Sequence, residues 1–362
     1  MSRNISLDLV RLLAALLVVL GHLRAAVFVD FADSYDQGLL VKCFYFLTSF
    51  GHEAVIVFFV LSGYFVGGSV IVKWNVFDFK KYFIARIVRL EVVLIPSLLF
   101  SFIIGVYINS LNIGLLDGGY IDMLNSGPIN DSGESQSILT LFLNSIFLQG
   151  FISPVYALNG PLWSLAYEFW FYMLFPLMFF VYKKNIFAFI TLSILLVFLF
   201  LFIGKGDFIL GFCFWLIGVL FFLLTRKKNE FNTSLTVLLF LLFIISCVLK
   251  KVFVGGHFGD FFIAMTFGFF ILSTHDINYS KKVRAVICFL SDSSYSLYLF
   301  HFPIVLLFFS LDGLYDLQKQ LSIDSFIYYV FLLTIIYLVS FLFYFIFEKN
   351  TFHFKKLLLR WT

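Results

Sequence analysis

The segment I-S-L-D-L-V-R-L-L-A-A-L-L-V-V-L-G-H-L-R-A-A-V-F-V (Ile5–Val29) decides the fold. It exceeds the roughly 20 apolar residues that carry a helix across a bilayer. A cleaved signal peptide has a shorter apolar region, and this segment holds Asp8, Arg11 and His22 within it. It therefore reads as a retained transmembrane helix. Composition extends that reading to the whole chain. Of its 362 residues 62% are apolar and 13% charged, against about 45–50% and about 25% in soluble domains. Mean hydropathy is +1.01. A soluble fold of this length cannot bury so much apolar surface, and lipid is the solvent that suits it.

Working outward, ten apolar stretches are long enough to span, with soft edges: 5–29, 41–69, 83–108, 160–182, 186–203, 207–225, 234–252, 258–274, 286–310 and 325–347. The expected fold is all-α, a polytopic membrane helix bundle in one domain over residues 1–362. The run Ile138–Gln149 is too short to cross and is expected to be re-entrant or interfacial. Lys and Arg set the orientation. With the N-terminus inside, the inner segments hold Arg3, the group from Lys73 to Arg89, Lys183 and Lys184, Arg226 to Lys228, Lys281 to Arg284, and Lys349 to Arg360. The outer segments hold only Arg24, Lys42, Lys205, Lys250, Lys251 and Lys319. That is a three-to-one bias, and both termini are expected in the cytoplasm. The outer loop 109–137 carries Asp117, Asp122, Asp131 and Glu134 and no basic residue. No soluble domain is expected at either end. Cys43, Cys213, Cys247 and Cys288 stand singly in apolar surroundings, so they read as buried thiols rather than a disulfide framework or a metal site.

Ionisable side chains inside spans are functional candidates, because each costs about 2.5–3.5 kcal/mol to insert. His22 follows Arg11 by 11 residues, close to three helical turns, so both project from one face about 16 Å apart. Asp8 lies one turn below Arg11 and can pair with it. Arg86 and Arg89 form R-x-x-R on one helix face near the inner end of 83–108; arginine offers a rigid fork suited to phosphate. Glu168, about two turns into 160–182, needs a partner, for which His22 or His301 is the candidate. His301 lies in the outer half of 286–310. His52 and Glu53 lie in 41–69, His52 toward its outer end, and Glu91 lies in 83–108, while His257, His275 and His353 sit in loops or flanks.

Four patches resemble the acyltransferase 3 family of bacterial membrane proteins, which acylate sugars. They are L-D-L-V-R-L-L-A-A-L-L-V-V-L-G-H (Leu7–His22), G-H-E-A-V-I-V-F-F-V-L-S-G-Y (Gly51–Tyr64), R-I-V-R (Arg86–Arg89), and the pair P-L-W-S-L-A-Y-E-F-W-F-Y with S-Y-S-L-Y-L-F-H. The resemblance runs across nearly the whole chain. It implies an acyl-CoA donor, acetyl-CoA foremost, entering from the cytoplasm, and a hydroxyl of an extracytoplasmic or lipid-linked carbohydrate as acceptor. It identifies Arg11 with His22 as the family's R-x(10)-H element and Arg86 with Arg89 as its R-x-x-R element. A fused extracytoplasmic hydrolase-like domain, present in some relatives, is not expected here.

The two readings agree on a division of labour. Arg11, Arg86 and Arg89 hold the donor's phosphates by charge-assisted hydrogen bonds. His22 acts as general base on the acceptor hydroxyl or accepts the acyl group itself. Glu168 orients or stabilises the imidazole, and His301 is a further catalytic candidate. No permanently bound cofactor, metal or nucleic-acid partner is expected; the partners are acyl-CoA, the acceptor glycan and membrane lipids, in a bacterial inner membrane. The rival reading is a transporter or flippase of a lipid-linked sugar, which moves its solute without covalent change.

Overall fold

The computed structural model describes residues 3–111, 135–226, 232–253, 256–274, 279–311 and 318–360. The acidic residues of the outer loop, Lys227, Lys228 and His275 lie outside these residues. The fold is all-helical, as expected. In chain order the α-helices are α1 (Ile5–Val27), α2 (Leu39–Leu47), α3 (Gly51–Ser62), α4 (Gly68–Val72), α5 (Phe79–Ser110), α6 (Ile138–Ser145) and α7 (Leu162–Lys184). They continue with α8 (Ile186–Phe202), α9 (Gly206–Thr225), α10 (Thr233–Val252), α11 (His257–Ser273), α12 (Lys281–Asp292), α13 (Ser294–Leu311), α14 (Ile323–Ile346) and α15 (Thr351–Arg360). Among the described residues, eight helical segments are long and apolar enough to cross a bilayer, and the apolar α8 and α11 have 17 residues each. Each expected span thus has a helical counterpart.

Three details differ from the expectation. The stretch 41–69 is composite: α2 ends at Leu47, a turn follows, and α3 passes through a π-helical segment, Gly63–Gly67, into α4. The stretch 286–310 is two helices, α12 and α13, separated at Ser293. Cys43 is exposed rather than buried, and only Cys247 is fully buried. The short run 138–149 holds the eight-residue α6, about 12 Å long, far short of a hydrocarbon core of about 30 Å.

The chain divides into two compact units. The first comprises Met1–Arg11, Glu53–Phe83 and Tyr167–Cys288, and the second Leu12–His52, Ile84–Ala166 and Phe289–Thr362.

In the first unit, α9 packs on the π-helical segment and on α11, and α10 packs on α11. Small residues permit the closest approach. A methyl group at Gly63 would fall 1.8 Å from the Trp215 carbonyl oxygen, and one at Gly218 would fall 2.0 Å from that of Val60. Both obstacles are backbone, so neither can rotate aside, and membrane helices use such positions to pack closely. We expect Gly218→Ala to destabilise by at least the ~1–3 kcal/mol typical of overpacking. Gly51→Ala, whose new methyl group would meet Val18 Cα at an ordinary 3.8 Å, should be near neutral. Thermal unfolding in detergent checks this, and an unchanged midpoint for Gly218→Ala would refute the tight contact. Glu53 is 2% exposed and lies 3.3 Å from Lys251 Nζ and 3.6 Å from Lys250 Nζ. Lys250 also pairs with Asp260. The buried acid of α3 is therefore compensated by α10 lysines whose sequence position had marked them only as an outer flank. Removing one partner of such a cluster strands the others without compensation. By contrast, α8 contains no buried residue, and its Phe187 and Phe202 are among the most exposed aromatics. That is the surface expected of a helix solvated by lipid.

The second unit contains α1 from Leu12 onward, α2, most of α5, α6, α13 and α14. Gly21 of α1 lies beneath the Thr48 carbonyl oxygen, and Phe28 bridges to Lys319. α13 packs along α14.

Candidate active site

The two histidines singled out in the second unit meet. His22 stands on α1 and is half-buried; His301 stands on α13 and is 0% exposed. His22 Nδ1 lies 2.9 Å from His301 Nε2. The rings are nearly parallel, at 5°, with centroids 5.2 Å apart. The Phe302 ring meets His22 edge-on at 5.1 Å.

The hydrogen bonds assign the tautomers. His301 Nδ1 faces two backbone carbonyl oxygens, Leu297 at 3.1 Å and Tyr298 at 2.8 Å. A carbonyl only accepts, so His301 Nδ1 carries the proton. A neutral His301 then presents a lone pair at Nε2, and His22 Nδ1 must donate to it. A neutral His22 is left with its own lone pair on Nε2. The pair thus fixes which nitrogen of His22 is basic, the task that an orienting carboxylate performs in a catalytic triad.

The sequence explains why α13 holds His301 firmly. Pro303 has no N–H, so the carbonyl of Leu299, four residues earlier, loses its helical partner. Ser97 Oγ donates to that oxygen at 2.9 Å and Asn159 Nδ2 at 3.3 Å. Asn159 Nδ2 also reaches Ser101 Oγ at 3.4 Å. Next to it, the Tyr298 and Ser164 hydroxyls are 2.6 Å apart. The patches W-S-L-A-Y-E and S-Y-S-L-Y-L-F-H are therefore joined physically through Ser164 and Tyr298.

In the same unit Arg86 and Arg89 lie on α5, both half-buried. Arg89 Nη2 donates to Glu348 Oε1 at 2.9 Å, and its guanidinium lies 5.1 Å from the Tyr295 ring centroid. Glu348 Oε2 accepts from the Ser296 N–H at 3.0 Å and from its Oγ at 2.7 Å. This carboxylate caps the start of α13, where backbone N–H groups lack helical partners. Sequence reasoning passed over Glu348, because it adjoins Lys349 in what reads as an inner flank. Its signal is an acid closing the apolar run of α14.

Arg11 and Glu168 belong to the first unit. Arg11 Nη2 lies 3.1 Å from Asp8 Oδ1, as the spacing predicts, and Arg3 pairs with the same carboxylate. Glu168 accepts a hydrogen bond from Tyr172 one turn on. Tyr172 in turn accepts from Ser62 Oγ at 3.2 Å, and Ser62 from Trp215 Nε1 at 3.1 Å. Pro176 frees the Tyr172 carbonyl, which the Tyr82 hydroxyl satisfies at 3.0 Å. His52 and His257 are exposed, and so is His353. Among the described residues no cluster of His, Cys, Asp and Glu is arranged to hold a metal ion.

The described residues thus form an all-helical membrane protein with a hydrogen-bonded histidine pair between α1 and α13. The acyltransferase 3 family model, described as an acyltransferase domain, matches residues 4–358. The chain belongs to that family and is a membrane-bound acyltransferase. Among curated proteins none matches the chain significantly, and none does among solved structures.

Proposed function

We propose that the protein transfers an acyl group, acetyl foremost, from cytoplasmic acyl-CoA to a hydroxyl of an extracytoplasmic or lipid-linked carbohydrate. The observation that carries this reading is the His22–His301 pair, which leaves a basic nitrogen on a half-buried ring. His22 Nε2 takes the proton of the acceptor hydroxyl as its oxygen attacks the thioester carbonyl. The carbonyl carbon–sulfur bond breaks, and the CoA sulfur leaves with the proton returned to it. In the two-step variant Nε2 itself attacks the thioester and then passes the acyl group to the hydroxyl. Arg86 and Arg89 supply guanidinium groups for the phosphates of CoA, and Arg11 is a further donor-binding candidate. Glu168 remains the acid of the W-S-L-A-Y-E patch, with Tyr172 fixing one of its oxygens.

The test is mass spectrometry of surface and lipid-linked glycans from cells with and without the gene. A glycan that loses an acyl mass with the gene supports the reading. An unchanged glycan set, with altered passage of a lipid-linked sugar, would favour transport.

The same reading places both termini in the cytoplasm. Single cysteines at Ser132 and Ile152, in an otherwise cysteine-free protein, are expected to react alike with an impermeant reagent added outside. Ile152 is preferred over the buried Ser153, since it is 70% exposed. Labelling of one position without the other would mean that the short segment crosses and that everything after it is inverted.

A further inference from the structure

A pocket of about 530 Å³ opens in the second unit beside the end of α1. Its lining includes Arg24, Phe31, Lys42, Cys43, Tyr45 and Phe46. Arg24 follows His22 by two residues, so it leaves α1 on another face, about 3 Å further along the axis. The pocket is therefore distinct from the histidine pair.

Its chemistry is uneven. Most of the wall is apolar or aromatic, yet two cations line it and, among the described residues, no carboxylate does. The nearby acids Asp30, Asp33 and Asp36 are exposed and lie outside the lining. Arg24 is held over the Tyr45 ring, 5.1 Å from its centroid, while the Tyr45 hydroxyl is anchored to the Val29 carbonyl at 2.6 Å. Arg24 Nε is buried and has no hydrogen-bond partner among the described residues. A buried guanidinium N–H without an acceptor is costly, and an anion is what would satisfy it. An aromatic platform beneath the guanidinium keeps the fork in place for that purpose.

We propose that this pocket binds the phosphate of a single-chain amphiphile, with Arg24 and Lys42 on the phosphate and the chain along Phe31, Phe46 and Tyr45. The charge balance of the lining selects an anion, and its apolar wall selects a chain over a free ion. The volume suits one drug-sized ligand, pockets for which run about 300–1,000 Å³, rather than a two-chain lipid. The proposal does not depend on acyl transfer.

Cys43 supplies the test, because it lines the pocket and is exposed. Its modification by N-ethylmaleimide is followed by peptide mass on the full chain in phosphatidylcholine nanodiscs. Dodecyl phosphate is expected to slow the reaction saturably. Inorganic phosphate and dodecyltrimethylammonium at equal concentration are expected to have no effect, and dioleoyl phosphatidic acid a weaker one. Arg24→Gln should raise the half-protecting concentration about tenfold or more, as loss of a charge-assisted bond implies. Lys42→Gln, at an exposed position, should raise it less and carries the test if the first variant does not fold. Native mass spectrometry of dodecyl phosphate retained by the unmodified protein gives an independent readout. Equal protection in the folded variants, protection by inorganic phosphate or by the cationic amphiphile, or a preference for phosphatidic acid would overturn the proposal.

Discussion

His22→Ala is expected to abolish acyl transfer and to leave the protein inserted at normal abundance. A positioned general base contributes about 10²–10⁴-fold, and a nucleophilic histidine would be worth the whole reaction. The ring is half-buried, so truncation opens little core. His301 allows a finer test, because on this reading it fixes the tautomer of His22. Leucine at 301 fills the space but accepts no hydrogen bond, leaving His22 Nδ1–H without its acceptor. Glutamine presents a carbonyl oxygen that can accept it. The expectation is a loss of about 10²-fold or more for His301→Leu and a smaller one for His301→Gln at equal protein level. A purely structural role would not sort the two variants by their ability to accept a proton. Glu168→Gln should also lose most activity. The measurement is acylated acceptor per unit of membrane protein. Full activity in His22→Ala would remove it from the chemistry and turn attention to His301.

The second large effect concerns Arg86 and Arg89, which are not equivalent. Arg89 is tied to Glu348, and Glu348 to the start of α13, so Arg89→Ala leaves a buried carboxylate without its cation. Breaking such a pair costs about 3–5 kcal/mol, and the variant is expected to lose thermal stability together with donor affinity. Arg89→Lys keeps the charge but loses the fork. Arg86→Ala should lower affinity for a non-hydrolysable acyl-CoA about tenfold or more while leaving the melting temperature near that of the parent. Titration of purified protein in detergent reads both quantities. Equal acyl-CoA affinity in the parent, Arg86→Ala and Arg89→Lys would reduce these arginines to topology determinants. His22→Ala, acting at the thioester, should bind CoA nearly as the parent does.

The spans were legible because hydropathy is a property of each window by itself. The separation of α12 from α13 was not, since Ser291, Asp292, Ser293 and Ser294 contain neither Gly nor Pro and are averaged away by their apolar neighbours. Each histidine of the pair was visible as an ionisable group in a span. Their contact was not, because it joins residues 279 positions apart and no local period encodes that. Glu53 was visible as a buried acid, but its compensation by Lys250 and Lys251 depends on the packing of three helices. Glu348 was hidden by the basic flank that follows it. Pro303 was the overlooked clue: counting back four residues names Leu299 as a carbonyl that needs outside donors, and Ser97 and Asn159 are those donors.

The backbone contact between Gly63 and Trp215, with its counterpart at Gly218, has a consequence for biosynthesis. The partners lie about 150 residues apart, and chains elongate at about 5–20 residues per second. The π-helical segment therefore leaves the ribosome on the order of ten seconds before α9 exists to cover it. Through that interval its glycine surface is open to any helix already in the bilayer. A chaperone or insertase that shields early helices would raise the yield of this protein, and slowing translation before α9 would lower it.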